Sequence, residues 1–391
     1  MNVKNNNMIY ADFNGSSPLI PLVKEYLHKR LGSELFSNPN AIHSLGQKIT
    51  KGMTKSREII ADIVNCYPDQ IIFNSGSSEG ISQILHTVLD NVSNGKNIII
   101  SSPIEHSIIP NALSYFENKK GFSIKTVGID EDGKVDVEDL VKLLTQYNHQ
   151  VALVIVMAAN NETGVLQPYS HIAEICKEFN VEYFSDTTQL IGKAEFDFEK
   201  SGLQYAVCSG HKIGSLSGTG FTIARTPSVL TPLIFGSSQE RGLRGGTQHY
   251  LGIETLAVAL NAFNQNKHLL KNLKKEKLKF EQDLKNSFPE VVILGEKAER
   301  LSGTSLIGSP GLHGQAIQIE LESCNIFVTT SSACTDNQPE TSKVLKAMGI
   351  KDELGRGVIR ISLNYSQGQE EYNSIAESLN SAYNKFNKIK I

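Results

Sequence analysis

VALVIVMAANNETGVLQPYSHIAEICKEFNVEYFSD, residues 151–186, holds two short apolar runs separated by an amphipathic stretch. The first, VALVIVMAA (151–159), is rich in β-branched residues and reads as a buried strand. Asn160, Asn161 and Gly164 then supply turn chemistry. In SHIAEICKEFN (170–180) the apolar residues fall at 172, 175, 176 and 179, one stripe of a helix. VEYFSD (181–186) returns as a second strand ending on Asp186. Strand–helix–strand order predicts a mostly parallel sheet covered by helices on both faces, an α/β fold. The same texture continues outward, with KNIIISS (96–102), YAVCS (205–209) and GFTIA (220–224) as further buried strands.

After about residue 255 the pattern changes. Residues 266–286 are charged and helical, with Leu269, Leu270, Leu273, Leu278 and Phe280 as their apolar positions. VVILG (291–295), TSLIG (304–308) and VIRISL (358–363) are strand candidates, and residues 375, 379, 383 and 386 make one apolar helical face near the end. This half reads as a smaller α+β domain joined by the extreme N-terminus.

Composition narrows the function classes. The chain has 391 residues, 40% of them hydrophobic and 20% charged, enough for a sizeable core and for two domains. A formal charge of −3 gives no electrostatic case for direct nucleic-acid binding or for an anionic membrane surface. No apolar signal region follows MNVKNNNMIY, and the longest apolar runs fall far short of a membrane span. Five cysteines without a CxxC pair or zinc-like spacing predict no metal site and a reducing, cytoplasmic setting.

Ligands of an open α/β sheet collect at the carboxyl ends of its strands. Several polar clusters stand there. Asn74-Ser75-Gly76-Ser77-Ser78-Glu79 precedes a helical run, so it is either an anion-binding helix start or plain capping. Glu105 and His106 follow one strand, Asn161 and Glu162 another, and Asp186 and Gln189 a third. YAVCSGHK ends in Ser209, His211 and Lys212, and a lysine just past a buried strand either snorkels to solvent or loses hydration and approaches a Schiff-base-forming amine. A phosphate turn, a carboxylate for a pyridinium nitrogen and such a lysine are together the parts of a pyridoxal phosphate site.

These motifs, in order, resemble the cysteine desulfurases of aminotransferase class V, fold type I pyridoxal phosphate enzymes, and within them the iron–sulfur-cluster assembly group with a long catalytic loop. The resemblance runs from about residue 8 to 385 through ADFNGSSP, SNPNAIHSLG, NSGSSEG, IEHS, NNETG, SDTTQ, SGHK, ERGLRGGT, SSACT and IRISL. It implies a large domain over 15–260 with a mostly parallel seven-stranded sheet. It implies a small α+β domain of 1–14 and 261–391 that carries the cysteine loop.

The resemblance makes Lys212 the Schiff-base lysine and proton carrier, Asp186 the partner of the pyridine nitrogen, and Gln189 the neighbour of the phenolic oxygen. It stacks His106 on the ring, with Thr188 near the opposite face, and gives Ser77, Ser78, Ser209 and His211 to the phosphate. Thr247 would reach the neighbouring subunit's phosphate in a homodimer. Asn14, Asn161 and Arg360 would bind the carboxylate of L-cysteine, and Cys334 would take its sulfur as a persulfide. An acceptor protein, a cluster scaffold or a factor for tRNA or DNA thiolation, would then receive it. The other four cysteines read as buried and inert.

The chain departs from the family pattern at GSS (15–17), SGSSEG (75–80), Thr187 and HKIGSLSGTG (211–220), and KFNKIKI (385–391) stands where the resemblance leads one to expect a longer scaffold-docking tail. Thr187 would add bulk beside the cofactor. The alternatives are another class V enzyme (a selenocysteine lyase or an aminotransferase) and a non-catalytic assembly or binding relative.

Overall fold

The computed structural model describes residues 8–33, 35–93, 95–331 and 340–387. Its main sheet has seven strands: β2 (Ile71–Asn74), β3 (Ile98–Ser101), β4 (Ser123–Thr126), β5 (Val151–Ile155), β6 (Glu182–Phe184), β7 (Tyr205–Ser209) and β8 (Gly220–Ala224). Their order is β2-β8-β7-β6-β5-β3-β4, and only β8 runs antiparallel to its neighbours. The two-residue side-chain period divides each strand between two cores. Ile98 and Ile100 face one core and Ile99 the other, while Ile71 and Phe73 oppose Ile72. Both faces are therefore covered, which is why β5 is buried along its whole length.

The sequence reading overlooks β4. Its residues, SIKT, are exposed or half-buried at the sheet edge, so no apolar run marks them. The helix Ser77–Leu89 buries Ile81, Ile84, Leu85, Val88 and Leu89, and the helix Tyr169–Glu178 buries Ile172, Ile175 and Cys176, on the faces that the spacing predicts.

The second core surrounds a three-stranded antiparallel sheet, β12 (Val358–Ser362), β10 (Thr304–Gly308) and β9 (Val292–Ile293). The N-terminal β1 (Ile9–Tyr10) pairs in parallel with β11 (Ile326–Phe327) beside it. The charged stretch from 266 differs from its reading as a single helix. One helix ends at Asn266, a tight turn covers Lys267–Leu269, and a second helix runs Leu270–Ser287. Leu278 is exposed, whereas Lys277 and Glu281 face inward with Leu273, Phe280 and Leu284. The inward charges are satisfied. Glu281 takes two parallel bonds from Arg300, at 2.7 and 2.8 Å, and Lys277 Nζ donates to Leu301 O at 2.9 Å.

Two other cysteines depart from the buried reading: Cys66 and Cys324 are only half-buried, while Cys176 and Cys208 are buried. Burial pushes the Cys66 and Cys176 thiols up to about 12, so neither forms a thiolate readily. Among the described residues no helix is long and apolar enough to cross a membrane.

Candidate active site

A cavity of about 480 Å³ opens at the carboxyl ends of β2, β5, β6 and β7, where β12 of the smaller sheet meets them. Of the fourteen residues singled out in the sequence, twelve line it: Asn14, Ser77, Ser78, His106, Asn161, Asp186, Thr188, Gln189, Ser209, His211, Lys212 and Arg360. Thr247 is exposed and stands outside this cavity of its own chain. Cys334 lies outside the described residues.

The turn after β2 is shaped for an anion. Gly76 has φ 144°, a conformation that side chains disfavour, and a Cβ there would approach Ser209 Oγ to 3.0 Å. The absent side chain leaves room between the hydroxyls of Ser77, Ser78 and Ser209 at the start of the helix Ser77–Leu89. First-turn N–H groups there lack intrahelical acceptors, and the helix dipole adds positive potential. Glu79 steadies the turn, accepting from Ser75 N at 3.0 Å and from Arg244 at 2.9 and 3.2 Å.

Asp186 is buried at the end of β6. Its Oδ1 accepts from Thr188 N at 2.9 Å and lies 2.5 Å from Thr188 Oγ1, which is 2.7 Å from Ser77 Oγ. Thr188 has one hydroxyl proton to give, so it donates to the carboxylate and accepts from Ser77. Thr187 corrects the sequence reading. It is fully buried and faces the sheet, its Oγ1 donating to Val207 O at 2.7 Å and accepting from Val207 N at 2.8 Å. It therefore ties β6 to β7, whose ladder pairs only at Phe184 and Tyr205, and adds no bulk to the cavity.

Lys212 follows β7 and points its Nζ at the N-terminal segment, donating to Asn14 O at 3.0 Å and Gly15 O at 2.6 Å. His211 Nδ1 lies 3.2 Å from Ser16 Oγ, so the altered GSS segment packs directly on the lysine turn. His106 stands at the rim. Partial burial of the ring, helped by the Lys212 charge and opposed by Asp186, lowers its pKa, which keeps the imidazole neutral near pH 7.

Arg360 projects from β12, buried. Its Nη1 donates to Asn161 O at 2.9 Å and its Nη2 to Asp12 Oδ1 at 2.6 Å. The fork is thus already oriented by a carboxylate rather than open on both arms, and Nε has no partner among the described residues.

Sequence reasoning missed two supporting groups and gave a third, Glu162, no role. Lys193, four residues beyond Gln189, donates to Gln189 Oε1 at 2.6 Å. Asp12 needed its contact with a residue 348 positions away to be noticed. Glu162, read as part of a turn, is buried with a pKa raised by burial to about 7 and accepts from Ser342 Oγ at 2.6 Å.

The donor set fits pyridoxal phosphate. The Gly76 turn has space and hydroxyls for a phosphate, Asp186 offers a buried carboxylate, and Lys212 offers an amine in the same cavity.

Comparison with known proteins agrees. Residues 9–374 match the aminotransferase class-V family model. A cysteine desulfurase IscS of Rickettsia bellii is 32% identical over 98% of this chain and 94% of its own. One from Clostridium botulinum is 30% identical over 96% and 94%. Among solved structures, a NifS-like protein superposes with a TM-score of 0.87 at 32% identity, covering 97% of this chain and all of that one. The structure titled SspA in complex with cysteine has a TM-score of 0.77 at 26% identity, over 91% and 99%. With a sheet, a cavity and a near-full-length likeness all pointing one way, this chain belongs to the aminotransferase class-V family, in its cysteine desulfurase group.

Proposed function

We propose that this protein is a pyridoxal phosphate-dependent cysteine desulfurase in which Lys212, His106 and Cys334 carry the reaction of L-cysteine. One observation supports the reading most. The segment bearing Cys334 begins and ends at residues tied to the cavity rim. Before it, Arg360 N donates to Thr329 O at 2.6 Å, and after it Ser342 is bonded to Glu162. Cys334 follows Thr329 by five residues, so an extended chain carries its thiol up to roughly 17 Å from that anchor.

In this reading Ser77, Ser78, Ser209 and His211 hold the cofactor's phosphate, Asp186 its ring nitrogen and Lys212 its aldehyde carbon. Bound pyridoxal phosphate supplies an electron sink that stabilises negative charge at the substrate Cα. Arg360 and Asn161, with Asn14 beside them, orient the substrate carboxylate. Lys212 removes the Cα proton, and neutral His106 accepts the proton of the substrate thiol. Only the thiolate of Cys334 is nucleophilic, and a free cysteine titrates near ~8.5, so local deprotonation is required. That thiolate attacks the substrate sulfur. The new S–S bond forms as the Cβ–S bond breaks, the electron pair stays with carbon, and protonation yields L-alanine. The persulfide on Cys334 passes to an acceptor protein in the cytoplasm.

The exposed position of Thr247 suits a homodimer in which it completes the partner's phosphate site. The decisive experiment compares sulfide and alanine release from L-cysteine by wild type, Lys212→Ala and Cys334→Ala. Both variants should stop sulfide production, while only Lys212→Ala loses the covalent cofactor. Sulfide release by Cys334→Ala at the wild-type rate without reductant overturns the role of that residue. An aminotransferase would keep its activity without Cys334, and a non-catalytic relative would show no bound-cofactor absorbance.

A further inference from the structure

Lys193 has no place in the reaction above, yet it sits directly behind the site. It is half-buried, and its Nζ points inward to three oxygens: Phe13 O at 2.9 Å, Asn14 Oδ1 at 3.0 Å and Gln189 Oε1 at 2.6 Å. Three acceptors match the three donors of an ammonium, whereas a neutral amine would aim its lone pair at one of them. With its oxygen held by Lys193, the Gln189 amide turns its Nε2 to Asn14 O at 2.9 Å. The same Asn14 carbonyl accepts from Lys212. Asn14 is therefore bonded to both ammonium groups, and both lysines line a small cavity of about 40 Å³ on the side away from the phosphate turn.

The charges around this pair do not cancel Lys193. Burial opposes the ammonium and lowers its pKa well below the usual lysine range, with Lys212 and Arg360 pushing the same way against Asp12 and Cys208, while the three oxygen acceptors at 2.6 to 3.0 Å hold the charged form. Asp12, the one carboxylate among these, is already paired with Arg360. Lys193 in turn lowers the pKa of His211, after burial and Lys212. His106 and Asp186 line the main cavity together with Lys212.

We propose that Lys193 is a positioning residue of the cofactor site, which fixes the orientation of Gln189 and Asn14 and places a positive charge behind Lys212 that disfavours protonation of the nitrogen linking Lys212 to the cofactor. The inference rests on Lys212 being the covalent attachment point. A like charge near a titrating nitrogen depresses its pKa, so removing Lys193's charge raises it. In the unaltered protein the linking nitrogen is then more often unprotonated at neutral pH.

The test is a pH titration of the visible absorbance of cofactor-loaded protein, beside the cofactor's dissociation constant. Lys193→Gln keeps a donor for Gln189 but loses the charge. Its absorbance midpoint should rise by roughly one pH unit. Lys193→Arg keeps the charge and should stay within roughly 0.3 unit of wild type. A Lys193→Gln midpoint equal to wild type overturns the inference. If Gln at 193 prevents folding, Lys193→Arg decides instead, because a midpoint displaced by a full unit with the charge retained would show that packing sets it. Wild type that binds no cofactor would sink the reading of the site itself, a different and visible failure.

Discussion

The wall of the cavity that the seven-stranded sheet supplies and the wall that β12 and the N-terminal segment supply differ in how their polar groups are committed. On the sheet side, Ser77, bonded to Thr188, and the hydroxyls of Ser78 and Ser209 surround a space that Gly76 keeps empty, and each comes from a strand end or the turn beside it. On the other side the groups are already engaged with one another. Arg360 holds Asp12 and Asn161, and Asn14 holds Thr304 Oγ1 at 3.0 Å and Asn161 O at 3.2 Å. The first wall is a socket for a resident group. The second is a pre-oriented network, suited to a substrate that comes and goes, because its donors keep their geometry when the ligand leaves.

The largest effect should come from breaking that second wall. Arg360→Ala removes the guanidinium and leaves Asp12 without its cation. Charge-assisted bonds to a carboxylate contribute about 1.5–3 kcal/mol each, so kcat/KM for L-cysteine should fall about 100-fold or more. Cofactor affinity and absorbance should stay near wild type, since the socket is untouched. Equal loss of cofactor and substrate binding would show that the walls are not independent.

The two walls were also unequally legible in the sequence. Ser77, Asp186, Ser209, His211 and Lys212 each end or follow a strand whose apolar run is visible, and position at a strand end is a local property. The N-terminal Asn14 and the distant Arg360 became site residues only through family likeness, because no local pattern brings residues 14 and 360 together. Lys193 and Asp12 were missed for the same reason: their importance lies in bonds to Gln189, Asn14 and Arg360, and their types and spacing are ordinary. Thr187 shows the converse error. Its neighbour Asp186 faces the cavity, and the alternation of an extended chain turns the next side chain to the other face.

Two acids beside the cavity, the half-buried Glu105 and the buried Glu162, sharpen the comparison through pH. Beside His106, Glu105 Oε1 accepts from Ser102 Oγ at 2.5 Å and Met157 N at 2.7 Å, while Oε2 has no partner among the described residues. Burial raises its pKa from 4.5 to about 8. A raised carboxyl pKa means that the folded state binds the extra proton. Its stability contribution is full below about pH 4.5 and is lost as pH rises towards 8. Glu105→Gln cannot ionise and keeps an acceptor for Met157 N. It should unfold like wild type near pH 4.5 and gain relative stability, on the order of 4 kcal/mol, by pH 8 in urea titrations. Parallel pH profiles for the two proteins would mean that Glu105 is already ionised in the fold.

The smallest effect belongs to the second acid, Glu162. Ser342 Oγ donates to Glu162 Oε2 and accepts from Leu345 N at 3.2 Å, so one hydroxyl both caps the helix Lys343–Ala347 and holds the NNETG turn. Ser342→Ala loses both bonds. A lost cap costs about 1 kcal/mol, and the fall in unfolding free energy should stay near that value. The bond from Ser342 is one of the two interactions that oppose burial in setting the Glu162 pKa, the other being Arg360. Removing it should move the Glu162 titration above about 7, detectable by carboxyl-specific infrared absorption or NMR. Arg360→Ala should move the same titration in the same direction, because it removes the other interaction that opposes burial, the Arg360 charge. If only one variant shifts it, Glu162 is coupled to one side of the rim alone, and the picture of a single connected network there is wrong.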